Sequence, residues 1–385
     1  MKTVHGGEKI MSQGNTYTTR RNLLRSAGAI GIAGLAGCQG DGGGDDTTTE
    51  TGTTSMGNDD VQAAWVYISE VGDLGWSWAH DQGRKYVTNE FDWLETDYSE
   101  AVPPADATQV FEEYTNKEYD VIFGTTFGYM DPMFQLAKDH PDILYEHCSG
   151  YKTRENMGRY FGRMYQARYL AGVAAGHLSE EKSLGYVAAF PTAEVVRGIN
   201  AFTHGATSVD SEITTKVRWT NAWFDPGKSK QAAENLIDEG VDVMAQHQDS
   251  PAAVKAANEA GIWSTGYDAP MKEFGGDKYI TSPIWHWEVF YVPTLKAVRN
   301  DDWTSDTYWE GLNATIEDVG ALVDLDEWGP DVTSDVKSTV ADKREQIENG
   351  NLYPWDGTKF EDWSDKELFQ NMGSYVDGVE GTVPD

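Results

Sequence analysis

From Val61 onward the hydrophobic positions fall into short apolar runs separated by longer segments in which apolar residues recur every three or four positions. The run "VQAAWVYI" predicts a strand, "SWAHDQGRKYVTNEF" and "DATQVFEEYTNKEY" predict helices, and "DVIFGTT", "MDPMFQLAKDHP" and "DILYEHC" continue as strand, helix and strand. The alternation starts again with "KSLGYVAAF" and "TAEVVRGINAFTHGATS", passes through "EITTKVRW", "GKSKQAAENLIDEG", "VDVMAQH" and "SPAAVKAANEAG", and closes on "IWSTGYD". Repeats of this kind build parallel sheets with helices on both faces, an α/β architecture, because a parallel pair needs a crossover helix. Two runs predict two lobes, and 385 residues suffice for two domains of ordinary size. The expected division places residues 61–158 with about 286–320 in the first lobe, and 159–285 with part of 320–385 in the second. From Asp326 the tail reads as one helix and a terminal segment packed on a lobe, with no chemistry assigned.

In open α/β sheets ligands bind beyond the carboxyl ends of the strands, and a two-lobed protein turns that edge into a cleft. The turns there share a composition. After the first strand come Asp73, Trp76, Ser77 and Trp78; after "DVIFG" come Phe127 and Asp131; after "EITTKVRWT" come Trp223 and Asp225. "VDVMAQHQ" is followed by Asp249, "IWSTGY" by Asp268, and "YITS" by Trp285 and Trp287 in "PIWHW". One aromatic at a strand end is usually core. Rings and carboxylates recurring at six strand ends fit a flat polar ligand, with rings stacking on its faces and carboxylates accepting hydrogen bonds at its edge. These residues are the predicted ligand contacts.

The amino end adds location. "TRRNLLRSAGAIGIAGLAGC" sets Arg20, Arg21 and Arg25 before an apolar run of small residues from Ala27 to Gly37 that is too short to span a bilayer, so residues 1–37 read as an export signal. The arginine pair resembles the twin-arginine signal for exporting folded proteins, and Leu35-Ala36-Gly37-Cys38 resembles a lipoprotein cleavage box, which would make Cys38 the lipid-bearing first residue outside the membrane. Residues 38–60, glycine, threonine and acid with almost nothing to bury, read as a disordered tether. With Cys38 processed, Cys148 is the one remaining cysteine; no intramolecular disulfide can form, and Cys148 is expected to be a small buried filler.

Charge excludes some partners. The chain holds 30 basic against 63 acidic residues, net −33. Such a surface repels nucleic acid and anionic lipid. Acids spread along the whole chain, with 12% aromatic content, indicate an acid-coated folded protein suited to concentrated salt and so to a salt-loving source.

Motifs for other chemistry are few. No P-loop, HExxH, CxxC or GxSxG pattern occurs, and the histidines form no i, i+4 pair, so no catalytic residue, cofactor or metal site is predicted. His80 and Asp81 read as a solvated helix face, and His286 is the one histidine expected among the cleft rings. Paired aspartates among the cleft acids leave glycoside hydrolysis as a formal rival.

Against this background the chain resembles the basic membrane protein family, lipoprotein substrate-binding subunits of ABC importers whose characterised members bind purine nucleosides and related bases. The resemblance runs from Val61 to about Asp324. It rests on "GDLGWSWAHDQG", "YQARYLAGVAAG", "WFDPGKSKQAAENLIDEGVDVMAQ" and "STGYDAP" followed by "YITS", in this order and spacing. It implies a type I periplasmic-binding-protein fold, two Rossmann-like lobes joined by three hinge strands and closing on ligand, no enzymatic activity, and an ABC permease as membrane partner. Trp76 matches the family's first stacking aromatic, Ser77 stands where nucleoside binders have asparagine, Asp131 matches an acid of the third turn, Trp223 matches the second stacking aromatic with Asp225 beyond it, and Asp268 matches the acid that contacts ribose. The family often has a lysine near the sugar three residues after the serine of "tS"; here that position is Trp285. The departure points to a bare nucleobase such as adenine, or another small planar heterocycle. A ligand-sensing receptor subunit is the alternative role.

Overall fold

The structure, a computed structural model, describes residues 60–72 and 74–384. Asp73, Cys38, the export leader and nearly all of the tether lie outside the described residues.

The first sheet is built from β1 (Val61–Val66), β2 (Leu94–Ser99), β3 (Val121–Gly124), β4 (Leu144–Cys148), β5 (Met157–Gly162) and a late strand, β11 (Thr307–Glu310). Its order is β11-β5-β4-β3-β1-β2, every pair parallel. The second sheet, β7-β6-β8-β9, joins β6 (Ser183–Ala188), β7 (Thr214–Trp219), β8 (Val243–His247) and β9 (Trp263–Ser264), again all parallel. Between the sheets, β10 (Pro283–Trp285) pairs antiparallel with β14 (Val323–Leu325), and β12 (Thr315–Ile316) pairs with β13 (Gly320–Ala321). The chain passes between lobes three times: after β5, through β10, and back through β14.

Helices α1 (Trp76–Glu90), α2 (Ala107–Asn116) and α3 (Met130–Asp139) connect the first sheet; α4 (Tyr165–Leu178), α5 (Ala193–Thr207), α6 (Pro226–Asp238), α7 (Ala252–Ala260) and the short α8 (Lys272–Gly275) serve the second. Helix α9 (Glu288–Arg299) returns to pack on α1, α10 (Ser334–Glu348) packs on α4, and α11 (Asp365–Gln370) lies against α5. Local sequence sets their starts. The Thr192 hydroxyl accepts from Val195 N at the head of α5, Asp225 accepts from Lys228 N ahead of Pro226 at the head of α6, and Ser364 with Glu367 forms a capping box for α11.

Several elements escape the hydrophobic pattern, among them β2, β5 and α9. β2, "LETDYS", is an edge strand that buries only Leu94 fully, so its alternation is lost among polar residues. β5, "MGRYFG", contains Gly158 and Gly162, and α9 carries Pro293 inside it. The largest core cluster joins Trp65, Tyr160 and Trp287 to Tyr169, Tyr186 and Phe202; a second, with Phe111, Ile122 and Met133, covers the far face of the first sheet, and a third, with Leu236, Met244 and Ala257, that of the second. Cys148 is buried, a free thiol in the large cluster.

The solvated face expected at His80 and Asp81 is corrected by α9. Both side chains are fully buried. His80 stacks on Trp287 at 4.3 Å and its Nδ1 lies 2.6 Å from the Tyr291 hydroxyl, while Asp81 forms ion pairs with Arg84 and Lys85 at 2.8 Å. The tail beyond α10 is fixed to the second lobe, where Thr215 N donates to Gly378 O and Asn200 Nδ2 donates to Ser374 O.

Candidate ligand-binding cleft

Strand order fixes where the cleft lies. The first sheet reverses its direction of winding between β1 and β3, the second between β6 and β8, and crevices open beyond the carboxyl ends of strands at such switch points. An inner cavity of about 60 Å³ sits where the two reversals face each other, lined from the first lobe by Ile68, Trp76, Thr126, Phe127 and Ser149. The second lobe supplies Glu194, Trp223, His247, Asp249, Tyr267 and Asp268. It opens into an outer chamber of about 730 Å³ whose far wall includes Tyr151, Phe161, Phe190, Arg197 and Phe369.

The lobes meet tightly beside the inner cavity. A methyl group on Gly75, at the head of α1, would sit 2.5 Å from the Asp249 Cα across the cleft, so only glycine allows this approach.

Trp76 is held rather than loose. Its Nε1 donates to Thr125 O at 2.6 Å, and its edge or face meets Trp285, Trp287 and His80 at centroid distances of 5.7, 5.5 and 4.6 Å, all near perpendicular. Behind it Trp285 and Trp287 stack at 4.5 Å with planes 12° apart. Across the cleft Trp223 is half-buried against Phe190, and its carbonyl accepts from Asp249 N at 3.0 Å, tying two strand ends together.

The floor is acidic and buried. Asp268 is fully buried, with a left-handed backbone (φ 64°) uncommon for a residue other than glycine, and its Oδ1 accepts from Trp285 Nε1 at 2.8 Å. Burial pushes its carboxyl up to about 7, against the opposing pull of Arg168 and the Trp285 hydrogen bond. Glu194 is raised by burial too, with Arg197 and Arg168 holding it down. His247 is pushed well below 6.5, first by burial and then by Arg168 and Arg197, so it is neutral. Arg168 is itself buried, its guanidinium 3.6 Å over the Tyr267 ring and its Nη1 donating to Gln246 O at 2.7 Å.

Of the predicted contacts, the structure brings Trp76, Phe127, Trp223, Asp249 and Asp268 around one cavity. Asp73 lies outside the described residues, and the others are elsewhere. Ser77 is buried, its hydroxyl accepting from Ser69 N at 3.0 Å to brace the first turn; Trp78 packs half-buried on the large core cluster. Asp131 is exposed and paired with Lys152, and Asp225 is occupied as the cap of α6, its carboxyl lowered by the Lys228 N–H. Trp285 and Trp287 form the layer behind Trp76 instead of the wall. His286 faces Glu288 at 3.5 Å and is absent from the lining, where the histidine is His247. Ile68, Thr126, Ser149, Glu194, His247 and Tyr267 were not anticipated. His247 ends a predicted strand and Glu194 follows "GYVAAF", so position at a strand end marks both.

Comparison with known proteins now decides the family. Residues 61–349 match the family model described as Bmp, ABC transporter substrate-binding protein PnrA-like. The chain belongs to this family. Its members are the ligand-binding components of ABC transporters and are not enzymes, which removes the hydrolase rival. Among relatives, a protein of Haloferax volcanii provisionally named as the ABC transporter glucose-binding protein TsgA13 is 53% identical, with 95% of this chain and 97% of that one aligned. A purine-binding protein of Brucella abortus is 36% identical over 86% of this chain and 97% of its own. Among solved structures, an ABC transporter solute-binding protein from Aeropyrum pernix superimposes with a TM-score of 0.67 at 16% identity, over 76% of this chain and 92% of that one. The fold of this Bmp protein is that of type I solute-binding proteins.

Proposed function

We propose that this Bmp protein is the extracytoplasmic, lipid-anchored binder of an ABC importer and takes a purine nucleobase or nucleoside, adenine for preference. The observation that carries the reading is the lining of the inner cavity. Rings from both lobes, Trp76 and Phe127 against Trp223 and Tyr267, surround it, and the carboxyls of Glu194, Asp249 and Asp268 lie at its edge. Rings opposed across a hinge suit a flat ligand sandwiched on closure, each good stack worth roughly 1–3 kcal/mol. The carboxyls suit the amino and ring N–H groups of a base. The name of the Brucella relative agrees with this choice.

A second reading is a monosaccharide. The name of the Haloferax relative favours it, and rings with carboxylates also serve a sugar's CH faces and hydroxyls. Titration calorimetry with adenine, adenosine and glucose separates the two. Adenine binding most tightly is expected; adenosine at least tenfold tighter than adenine overturns the preference for a bare base, and glucose binding without purine binding overturns the reading.

No bond is made or broken in this role. Open lobes admit ligand, closure hides it, and the closed form is what a permease recognises. Export by the twin-arginine route and a lipid on Cys38 would keep the binder at high effective concentration near its permease. Cys38→Ser should move the protein from the membrane fraction to the medium; retention on the membrane would sink the anchor. Reporting ligand to a signalling partner remains the alternative role, and uptake of labelled adenine by cells lacking the protein distinguishes it from transport.

A further inference from the structure

His247 ends β8 and borders the inner cavity, flanked by Tyr267 and Trp223 at centroid distances of 4.3 and 6.0 Å. Its two nitrogens meet opposite surroundings. Nε2 faces Glu194 Oε1 at 3.7 Å, and Glu194 also lines the cavity. Nδ1 is buried, has no hydrogen-bond partner among the described residues, and turns toward the bare backbone of Gly198 on α5. A methyl group on Gly198 would lie 3.6 Å from His247 Nδ1, 3.6 Å from Arg168 Nε and 3.3 Å from the Tyr186 hydroxyl. Arg168 Nε and the Tyr186 hydroxyl are likewise buried and unpartnered. Three polar atoms therefore converge on one point that glycine leaves open.

The chemistry at that point is one-sided. Arg168 Nε can only donate and carries positive charge, whereas a hydroxyl can accept from it and donate onward. A proton on His247 Nδ1 would face the positive charge of Arg168, whereas a lone pair there is stabilised by it. On the other side the Glu194 carboxyl draws the proton to Nε2. The imidazole is neutral, so one nitrogen alone carries hydrogen.

We infer that His247 is a specificity-determining residue of the cleft, presenting Nε2–H as a donor to an acceptor atom of the ligand, with Arg168 and Tyr186 as positioning residues that fix this tautomer at the open face of Gly198. The inference rests on the cleft being the ligand site proposed above. It divides the labour of the lining: Glu194, Asp249 and Asp268 accept, and His247 donates. Such a site selects a ligand edge that offers hydrogen-bond donors next to an acceptor, as an amino group beside a ring nitrogen does, over an edge of donors alone.

Nitrogen-15 NMR of the histidine rings tests the tautomer in the whole protein, with and without adenine. Protonated Nε2 and bare Nδ1 are expected, shifting toward Nδ1–H in Gly198→Ala, which fills the meeting point, and by less in Tyr186→Phe. Calorimetry then compares adenine with its 1-, 3- and 7-deaza analogues, each lacking one ring nitrogen. One analogue should bind the wild type at least tenfold more weakly than adenine does, and this gap should vanish in His247→Ala and partly persist in His247→Gln, whose amide can donate. A wild-type spectrum showing Nδ1–H or imidazolium overturns the inference, as does a His247→Ala protein with wild-type affinity and the same analogue gap. Failure of adenine to bind the wild type sinks the purine reading instead, while the spectrum still decides the tautomer.

Discussion

Gly75→Ala puts a single methyl group where the two lobes touch. In this structure that methyl would lie 2.5 Å from the Asp249 Cα, against the ~3.5–4.0 Å at which carbon atoms rest. Neither atom can swing away, since the methyl is fixed by the backbone of the first turn of α1 and the Cα belongs to the backbone after β8. The lobes must stop about 1 Å short of closure, or the backbone must give. Overpacking of this size costs about 1–3 kcal/mol, here charged to the closed form alone. Affinity should fall by roughly 5- to 150-fold at 1.4 kcal/mol per decade, while the melting temperature of ligand-free protein stays within a few degrees of wild type. Calorimetry with the tightest ligand and a thermal melt in the same buffer read both quantities. Wild-type affinity in Gly75→Ala would refute the view that ligand is held by approach of the lobes at this point, and a collapse of the melting temperature would show that the contact serves folding instead.

Other predictions address single groups. Trp223→Ala, which removes a half-buried ring on the second lobe, should weaken binding by roughly 5- to 150-fold, the worth of one stacked ring, and unchanged calorimetry would remove that ring from the site. Glu146, buried in the first lobe with Trp303 Nε1 donating to its Oε1 at 2.8 Å, is pushed up to about 8 by burial. Its unfolded value is 4.5, so between these pH values the folded chain keeps a proton that the unfolded chain has released, and stability falls as pH rises through that window. Glu146→Gln should therefore melt higher than wild type at pH 8, with a ceiling of roughly 4–5 kcal/mol, and show little gain at pH 4; no gain at pH 8 contradicts the assignment. Phe369 reaches from the tail to the first lobe, edge-on to Phe161 and Trp309 at 5.7 and 5.4 Å, while Arg197 Nη1 of the second lobe donates to the Leu368 and Phe369 carbonyls at 2.8 and 3.2 Å. Phe369→Ala should speed ligand release in stopped flow by roughly tenfold, the worth of one to two ring pairs; an unaltered rate would show that this bridge does not restrain opening.

The alternation from Val61 to Asp268 carried the architecture, because buried parallel strands such as "VQAAWV" and "VIFG" are short, mainly apolar runs and the helices between them keep their period. It missed β2 because an edge strand with five of its six residues at least partly exposed has no such run. At the cleft, position at a strand end was the useful signal and residue type the misleading one. Asp131 and Asp225 have the right chemistry at the right turns, but the first turn of α3 points Asp131 to solvent and the cap of α6 consumes Asp225. Glu194 is masked because "GYVAAF" ends on a ring, Phe190, and the first acid comes only once the helix has begun. Arg168 lies inside "YQARYLAGVAAG", and nothing local in that helix tells that its guanidinium runs under β8 to support the floor. The burial of His80 and Asp81 depends on α9, more than 200 residues away, and no local period can report that.

The layered rings behind the cavity have an optical consequence. Trp285 and Trp287, stacked at 4.5 Å, are close enough for their indole transitions to couple, and Trp76 stands edge-on to both with its other side on the ligand space. Because Trp285 also donates to Asp268, a proton or ligand arriving at that carboxyl changes the field on one member of the coupled pair. The molecule thus carries an intrinsic reporter: near-ultraviolet circular dichroism and tryptophan emission should shift as the cleft fills, with no label attached, and Trp285→Phe should silence most of the dichroic signal.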